Sequence, residues 1–406
     1  MIPASRISLF RWRLTISEWA WILLFISLPA GRPFTTYTLV LVVAISLLSI
    51  RIIETEYVKQ NLKSVWPMLL FFFFHLTGML YTDDFDFGFK DLSVKIPLVL
   101  IPVIAVFTGI SDSLKKKAAI AFSYSCVTVN LFLLIRAVIN HHSGMQDPFF
   151  YDSYSVLIHP AYMALMNVTA ISILIFDDTS AFSKKKVISL LSIIFLSASA
   201  ILMASKAGLL SMLIVYLAFA IKTFSGNRFP KFLLTGTIVM IALAIIFIFP
   251  VKERVKQSLE ALRHPEKAAT MQEGTASRLL AWQTAWHIAK DYFPLGTGTG
   301  DIKNVTLSYY EHSGYSWPLY YKLNAHNQYL QSVAAIGIGG LVSLAFILFI
   351  PLIRRKKEES LPLIFNFLVF INLLFESMLE VQNGVMLIAS FYVLWNVRPS
   401  HLLKDT

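Results

Sequence analysis

The feature of the sequence that most constrains the fold is a series of apolar runs that recur along nearly the whole chain. Each is long enough to cross the roughly 30 Å hydrocarbon core of a bilayer as a helix of about 20 residues. Charged residues make up only 15% of the 406 residues, against about 25% in an ordinary soluble domain. The sequence therefore predicts an all-α polytopic membrane protein of about twelve transmembrane helices. The predicted spans are 16–31, 36–52, 65–81, 93–110, 118–138, 159–176, 187–203, 206–221, 232–250, 327–351, 361–379 and 384–397.

The distribution of Lys and Arg predicts the orientation of these spans. Basic clusters such as Lys115 to Lys117, Lys184 to Lys186 and Arg354 to Lys357 occupy alternate connections, and the short connections between them hold few basic residues. Because basic residues concentrate on the cytoplasmic side, both chain termini are predicted to be cytoplasmic. The net charge of +11 is then a topology signal, and no nucleic-acid partner is expected.

Two features of the sequence exclude simpler classes of protein. The first apolar run follows three arginines like a signal peptide, but residues 28–32 make a poor cleavage site and further spans follow directly. We therefore expect a retained first helix. The single cysteine, Cys126, rules out a disulfide or a cysteine-based metal site within one chain.

The spans divide the chain into three regions. Residues 1–250 are predicted to form transmembrane helices 1–9, and residues 327–406 helices 10–12 with a short cytoplasmic tail. Between them lies a long external loop, residues 251–326, with amphipathic helices. A loop of this length is usually functional.

One helix of the loop is predicted from residues 277–293. Its apolar residues recur every three to four positions, which gives one apolar stripe. Ser277 is the expected N-cap and Pro294 the expected stop. The helix lies either in the membrane interface or packed on the bundle, and the sequence leaves both open. The stripe consists of Leu279, Trp282, Trp286 and Ala289.

Three further patterns are interpreted as structural. The run PLGTGTGD, Pro294 to Asp301, is similar to a phosphate-binding loop, but no strand precedes it and no Lys-Ser/Thr follows, so a tight turn is predicted. The pair His141 and His142 has no further ligand nearby, and no metal site or cofactor is expected. Glycines near residue 337 are predicted to let helices approach closely.

Ionisable residues gather at the predicted outer ends of the spans. Such residues are costly at membrane depth and mark functional sites. Each alone is also compatible with an interfacial anchor, but together they predict one polar cavity open to the outside. Charges are expected to avoid the middle of the bilayer. The residues are Arg136, His159, Lys206, His326, Glu376 and Glu380.

His326 is the best candidate for a chemical role. It lies at the start of a predicted helix that Asn324 or Asn327 can cap. The positive end of the helix dipole disfavours a protonated imidazole there, and a neutral imidazole can act as a general base. Tyr329 shares its helix face. The alternative is that His326 only caps the helix.

These motifs resemble the O-antigen ligase and polymerase superfamily of bacterial membrane glycosyltransferases. HNQYLQSVAAIGIGGL, residues 326–341, is similar to the family's His, Asn/Ser, Tyr-Leu, Gly-x-x-Gly signature. Residues 277–300 are similar to its Arg, Trp, Pro-x-Gly-x-Gly run, and SKAGLL, residues 205–210, to its Ser-Arg-x-Gly element, with Lys206 where Arg is usual. HPAY, residues 159–162, and ESMLEVQNG, residues 376–384, also resemble related sequences.

The resemblance implies a metal-independent GT-C-type transferase that takes a glycan from undecaprenyl diphosphate at the periplasmic face of the bacterial inner membrane. A ligase delivers it to lipid A-core in lipopolysaccharide biosynthesis, whereas a polymerase extends a polysaccharide on another lipid-linked repeat unit. The ligase is the main expectation and the polymerase the alternative. A lipid-linked glycan transporter is a second alternative, but the charges and paired broken helices typical of transporters are not evident in the sequence.

The resemblance also implies roles for individual residues. His326 is the expected catalytic base. The expected diphosphate-binding cations are Arg278, Lys206 and Arg136. The residues expected to bind the acceptor or to orient the base are Asn327, Tyr329, Glu376, Glu380 and His159.

Overall fold

The computed structural model describes residues 4–49, 55–176, 186–222, 274–354 and 360–399, with a few isolated positions between 236 and 263. The described residues form helices joined by turns, with one isolated backbone bridge between Ile110 and Pro399. The helices are α1 Ala4–Ser27, α2 Arg32–Ser49, α3 Thr55–Gly78, α4 Phe85–Lys95, α5 Pro97–Thr108, α6 Asp112–His142, α7 Tyr151–Tyr154, α8 Pro160–Phe176, α9 Lys186–Leu202, α10 Lys206–Lys222, α11 Gly274–Asp291, α12 Ile302–His312, α13 Ser316–Tyr320, α14 Gln328–Arg354, α15 Ser360–Phe375 and α16 Gln382–Asn396.

The predicted all-α class is confirmed, and the predicted spans coincide with helices wherever they can be compared. Predicted span 232–250 and most of the first part of the loop, 251–273, lie outside the described residues. Four helical segments among the described residues are long and apolar enough to cross a membrane, and several shorter apolar helices accompany them. The number of spans stays a prediction. The four segments are Glu56–Tyr81, Phe85–Thr108, Asp112–His142 and Gln328–Arg354.

Helix α8 is the centre of the bundle. It is apolar on all sides, and such a helix has to be buried on all sides; all of its residues except Ile175 are buried. It packs against α6, α9, α10 and α15. The amides of Asn130 and Asn167 meet inside this core and hydrogen-bond each other at 2.8 and 3.2 Å, so their polar atoms have partners there.

Helix α14 is broken near its first third. Ile336 and Gly337 leave helical geometry, and Gly337 has a φ of 62°. The broken ends hydrogen-bond the turn that follows α11: Ile338 N donates to Pro294 O at 3.0 Å, and Thr297 N donates to Ala334 O at 2.9 Å. Backbone groups freed at membrane depth need such partners. The glycine-rich run 294–301 is therefore a turn, as expected, and it fills the break.

Glycines in α14 allow two different close approaches. A Cβ on Gly337 would lie 1.9 Å from Pro294 O, so what approaches closely at this glycine is the turn after α11 and not another helix. A Cβ on Gly339 would lie 2.5 Å from the ring of Phe74 in α3, which is the helix approach that the sequence predicted.

Segment Phe85–Thr108 carries charged residues in its interior. Asp91 and Lys95 are buried there, and His75 in α3 is buried beside them. Ionisable residues therefore lie within a segment that is long and apolar enough to cross a membrane. The predicted span begins only at residue 93, which leaves Asp91 in a connection, because α4 is too polar to stand out as an apolar run. Burial against α3 and α16 keeps its charges out of lipid.

Candidate functional site

A cavity of about 220 Å³ lies where the first residues of α8 and α10 meet the last residues of α15. Helix α11 closes one side, and α7 contributes an aromatic ring. The walls combine apolar side chains with a few ionisable ones, as ligand pockets do. The lining residues are Tyr151, His159, Ala161, Ser205, Lys206, Ala207, Thr275, Arg278, Leu279, Trp282, Phe375 and Glu376.

Glu376, just beyond the end of α15, is the central ionisable group of the cavity. Its side chain is 6% exposed, and it accepts hydrogen bonds from the Arg278 guanidinium and from Nδ1 of His326, the latter at 3.1 Å. Burial by itself raises the pKa of Glu376, but the hydrogen bond from His326 and the charge of Arg278 outweigh burial and lower it. Glu376 is therefore an ionised carboxylate at neutral pH.

The carboxylate fixes the tautomer of His326. An ionised carboxylate only accepts hydrogen bonds, so Nδ1 carries the ring proton. In the neutral ring Nε2 then keeps its lone pair. The His326 side chain is 25% exposed and adjoins the cavity through Glu376.

The backbone holds His326 in a strained conformation. Its φ is 45°, a region that non-glycine residues occupy at a cost of about 1–3 kcal/mol when neighbouring contacts enforce it. Asn324 Oδ1 accepts from His326 N at 3.0 Å, and Trp282 Nε1 donates to His326 O at 3.4 Å. Asn327 Oδ1 accepts from Leu330 N at 3.1 Å, so the predicted helix cap is confirmed at Asn327.

His159 lines the same cavity, but both of its ring nitrogens have partners. Nδ1 accepts from Ala161 N at 3.4 Å, and Nε2 lies 3.5 Å from the hydroxyl of Tyr151. His159 lies just before α8. Burial lowers the pKa of its ring, and this outweighs the negative charges of Glu376 and Asp152, which raise it. A neutral ring whose Nδ1 accepts carries its proton on Nε2, so His159 is a poorer base than His326.

Two of the three predicted cations reach the cavity. Lys206 is the first residue of α10, and its Nζ donates to Thr275 Oγ1 at 2.5 Å. Arg278 faces the cavity from α11. Arg136 does not line it, and its guanidinium donates to Ser153 O at 3.1 Å.

Comparison with known families adds one finding. Residues 191–345 match the family model described as O-antigen ligase. Over this part of the 406-residue chain the sequence is similar to the O-antigen ligase family. The predicted resemblance is confirmed by this match, and no curated protein matches the sequence. The O-antigen ligase match includes Lys206, Arg278 and His326, while His159 and Glu376 lie on either side of it.

Two predicted site residues point elsewhere. The Tyr329 hydroxyl donates to Phe370 O at 3.0 Å, where the ring packs on α15. Glu380 accepts from Lys95 Nζ at 2.8 Å and from Gln328 Nε2 at 3.0 Å. Neither lines the cavity.

Helix α11 differs from its prediction in two respects. Ser277 is not an N-cap but lies buried one turn inside a helix that already includes Gly274. Ile288, which the predicted stripe leaves out, clusters with Ala334 to Ile336 of α14, whereas Trp286 is 51% exposed. Leu279 and Trp282 of the predicted stripe line the cavity.

Tyr151 and Thr275 line the cavity without having been predicted. Tyr151 is the first residue of the four-residue helix α7, in an aromatic cluster with no periodicity, so the sequence carries no signal for it. Thr275 follows Gly274 directly and is recognisable only by its contact with Lys206.

Proposed function

We propose that the protein is an O-antigen ligase-like glycosyltransferase that moves a glycan from undecaprenyl diphosphate to a sugar hydroxyl of lipid A-core. One observation carries the proposal. In a chain whose residues 191–345 match the O-antigen ligase family model, His326, Glu376 and Arg278 meet beside a cavity at one end of the helix bundle.

His326 is the general base of the proposed reaction. The acceptor oxygen attacks the anomeric carbon, and its proton passes to Nε2 of His326. The bond from that carbon to the diphosphate oxygen breaks, and the electron pair leaves with undecaprenyl diphosphate. Glu376, 3.1 Å from Nδ1, stabilises the imidazolium that forms.

Arg278 and Lys206 stabilise the diphosphate that leaves. A guanidinium has five N–H donors in a planar fork, so Arg278 can hold Glu376 on one edge and a phosphate on the other. Lys206 supplies a second charge from the other wall of the cavity. These fixed cations support a metal-independent reaction, and the apolar walls at Leu279 and Phe375 suit the first isoprene units of the donor. Arg136 is left out of the proposal.

The proposal includes an orientation and a division of the chain. The protein lies in the bacterial inner membrane with both termini cytoplasmic, and the cavity faces the periplasm. Residues 1–250 and 327–406 form its membrane part, and 251–326 its external loop.

A polymerase that joins lipid-linked repeat units is the closest alternative, because the same base and cations serve a different acceptor. A transporter fits less well. Helix α14 is broken as transporter helices often are, but the turn at 294–298 fills the break.

Lipids extracted from a deletion strain test the function. For a ligase, polymeric glycan accumulates on undecaprenyl diphosphate and lipid A-core stays bare. For a polymerase, single repeat units reach lipid A-core and no polymer forms. Unchanged lipids of both kinds would contradict glycan transfer altogether.

A further inference from the structure

A buried ion cluster lies behind the candidate site and has no part in the proposed chemistry. Lys95 of α4 is fully buried, and its Nζ lies 2.5 Å from Asp91 Oδ1 and 2.8 Å from Glu380 Oε2. His75 of α3 completes the cluster, with Nδ1 3.3 Å from Asp91 Oδ2. Lys95 and Glu380 are 285 positions apart in the chain.

Glu380 belongs to the same short segment as Glu376. We call residues 376–380 the Glu loop and residues 324–328 the His loop. Four hydrogen bonds join the two loops. They run from His326 Nδ1 to Glu376, from Asn327 N to Ser377 Oγ at 3.1 Å, from Gln328 Nε2 to Glu380 at 3.0 Å, and from Leu379 N to Gln328 Oε1 at 2.7 Å.

These hydrogen bonds couple the position of Glu376, at one end of the Glu loop, to the position of Glu380 at the other end. Glu376 meets His326 at one end, and Gln328 meets Glu380 at the other. The Glu loop has one 3-10 turn, Met378–Glu380, and no longer helix to fix it. Met378 and Leu379 are buried in the core, and Glu380 is held by the ion pair with Lys95 of α4 and by the hydrogen bond from Gln328 at the start of α14.

A buried ion pair is poor evidence of a purely stabilising role. Removing charges from water is costly, and well-packed apolar residues often stabilise a protein as well or better. Ionisable groups inside membrane helices are therefore expected to serve function. Here the pair joins α4 to the loop that carries Glu376.

We propose that Lys95 is a positioning residue of the site. By binding Glu380 it draws the Glu loop against α4, and the loop then presents Glu376 to His326 and Arg278. The inference rests on the proposed function for the reaction that it serves, but the positioning itself does not depend on which reaction that is.

The test compares Lys95→Met with the double variant Lys95→Met/Glu380→Gln. The single variant leaves both carboxylates of the cluster without their cation. The double variant removes one charge of each sign, so the formal charge of the cluster is unchanged, and the amide introduced at position 380 can still bond Gln328. The matched control is Lys117→Met/Glu18→Gln, which removes a partly exposed ion pair of 3.7 Å, while the amide introduced at position 18 can still accept from Ser111 Oγ.

In the double variant we expect turnover of the lipid-linked donor to fall about 10- to 100-fold with KM changed by less than about threefold, as for a misplaced catalytic group. Hydrogen exchange is expected to rise about tenfold in peptides covering the Glu and His loops and to stay constant elsewhere. The control variant keeps wild-type values of both.

Two outcomes would overturn the inference. Wild-type turnover and exchange in the double variant would mean that Lys95 only balances charge. Faster exchange throughout all helices would mean that it supports the whole fold. If the wild-type protein transfers no glycan, the proposed function is wrong, while the exchange data still decide whether Lys95 positions the loop.

Discussion

Glu376 accepts hydrogen bonds from two neighbours that have different tasks in the proposed reaction. His326 exchanges a proton with substrate, whereas Arg278 keeps its charge throughout. Replacing the base and replacing the cation are therefore expected to have different effects on the reaction.

Replacement of His326 by Gln tests the base. The amide keeps a hydrogen bond but cannot take the proton, so turnover is expected to fall by roughly 10²- to 10⁴-fold with donor binding retained. Purified protein with a lipid-linked donor gives the measurement. His159→Gln is the comparison variant. It is expected to lose less turnover, because both ring nitrogens of His159 already have hydrogen-bond partners. Near wild-type turnover in His326→Gln would make the residue structural.

Replacement of Arg278 by Ala tests the diphosphate contact. Loss of one charge-assisted hydrogen bond costs about 1.5–3 kcal/mol, which is roughly a 10- to 150-fold loss of kcat/KM. Lys206→Arg is expected to keep more activity than Lys206→Ala. Arg136→Ala is the matched control, because Arg136 bonds a loop carbonyl and does not line the cavity. Equal activity of all four variants would show that these cations do not hold the diphosphate.

At the scale of elements, the break in α14 depends on a single glycine. Gly337→Ala places a methyl group 1.9 Å from Pro294 O at a positive φ, so the turn has to leave the break. We expect a marked fall in the temperature of thermal unfolding. Gly314→Ala is the control, since Gly314 also has a positive φ but open space around its Cβ position. If both variants lowered the unfolding temperature equally, the loss at Gly337 would be explained by backbone strain of about 1–2 kcal/mol and not by displacement of the turn.

The elements also show what could be predicted from the sequence. Helix positions and the Asn327 cap follow from local patterns, which periodicity and capping rules capture. The hydrogen-bond partners of Glu376 and Glu380 do not follow from such local patterns. The two residues are four positions apart, yet one binds His326 and the other Lys95, because the segment between them is a turn and not a continuous helix.

The orientation of α11 was equally beyond the sequence. Apolar spacing identified the helix, but Ile288, outside the predicted stripe, clusters with α14, while Leu279 and Trp282 line the cavity. Hydrophobicity alone does not distinguish a face that packs closely from one that lines a cavity.

In the whole molecule, four helix ends come together, as the predicted topology requires. They are the ends of α8, α10, α14 and α15, which carry His159, Lys206, His326 and Glu376.

Reporter fusions test the orientation. Because α6 is long and apolar enough to cross a membrane, fusions at Lys116 and Gly144, near its two ends, are expected to read cytoplasmic and periplasmic. A fusion at His312 is expected to read periplasmic. A cytoplasmic reading at His312 would invert the orientation and put the site on the wrong side for a periplasmic acceptor.

Glycan transfer by the purified protein in lipid vesicles tests the proposed reaction. The vesicles contain an undecaprenyl-diphosphate-linked glycan and lipid A-core, without added metal and with a chelator present. We predict that glycan appears on lipid A-core in step with the release of undecaprenyl diphosphate, and that His326→Gln abolishes both. Absence of both products with wild-type protein, or equal product with His326→Gln, would contradict the account.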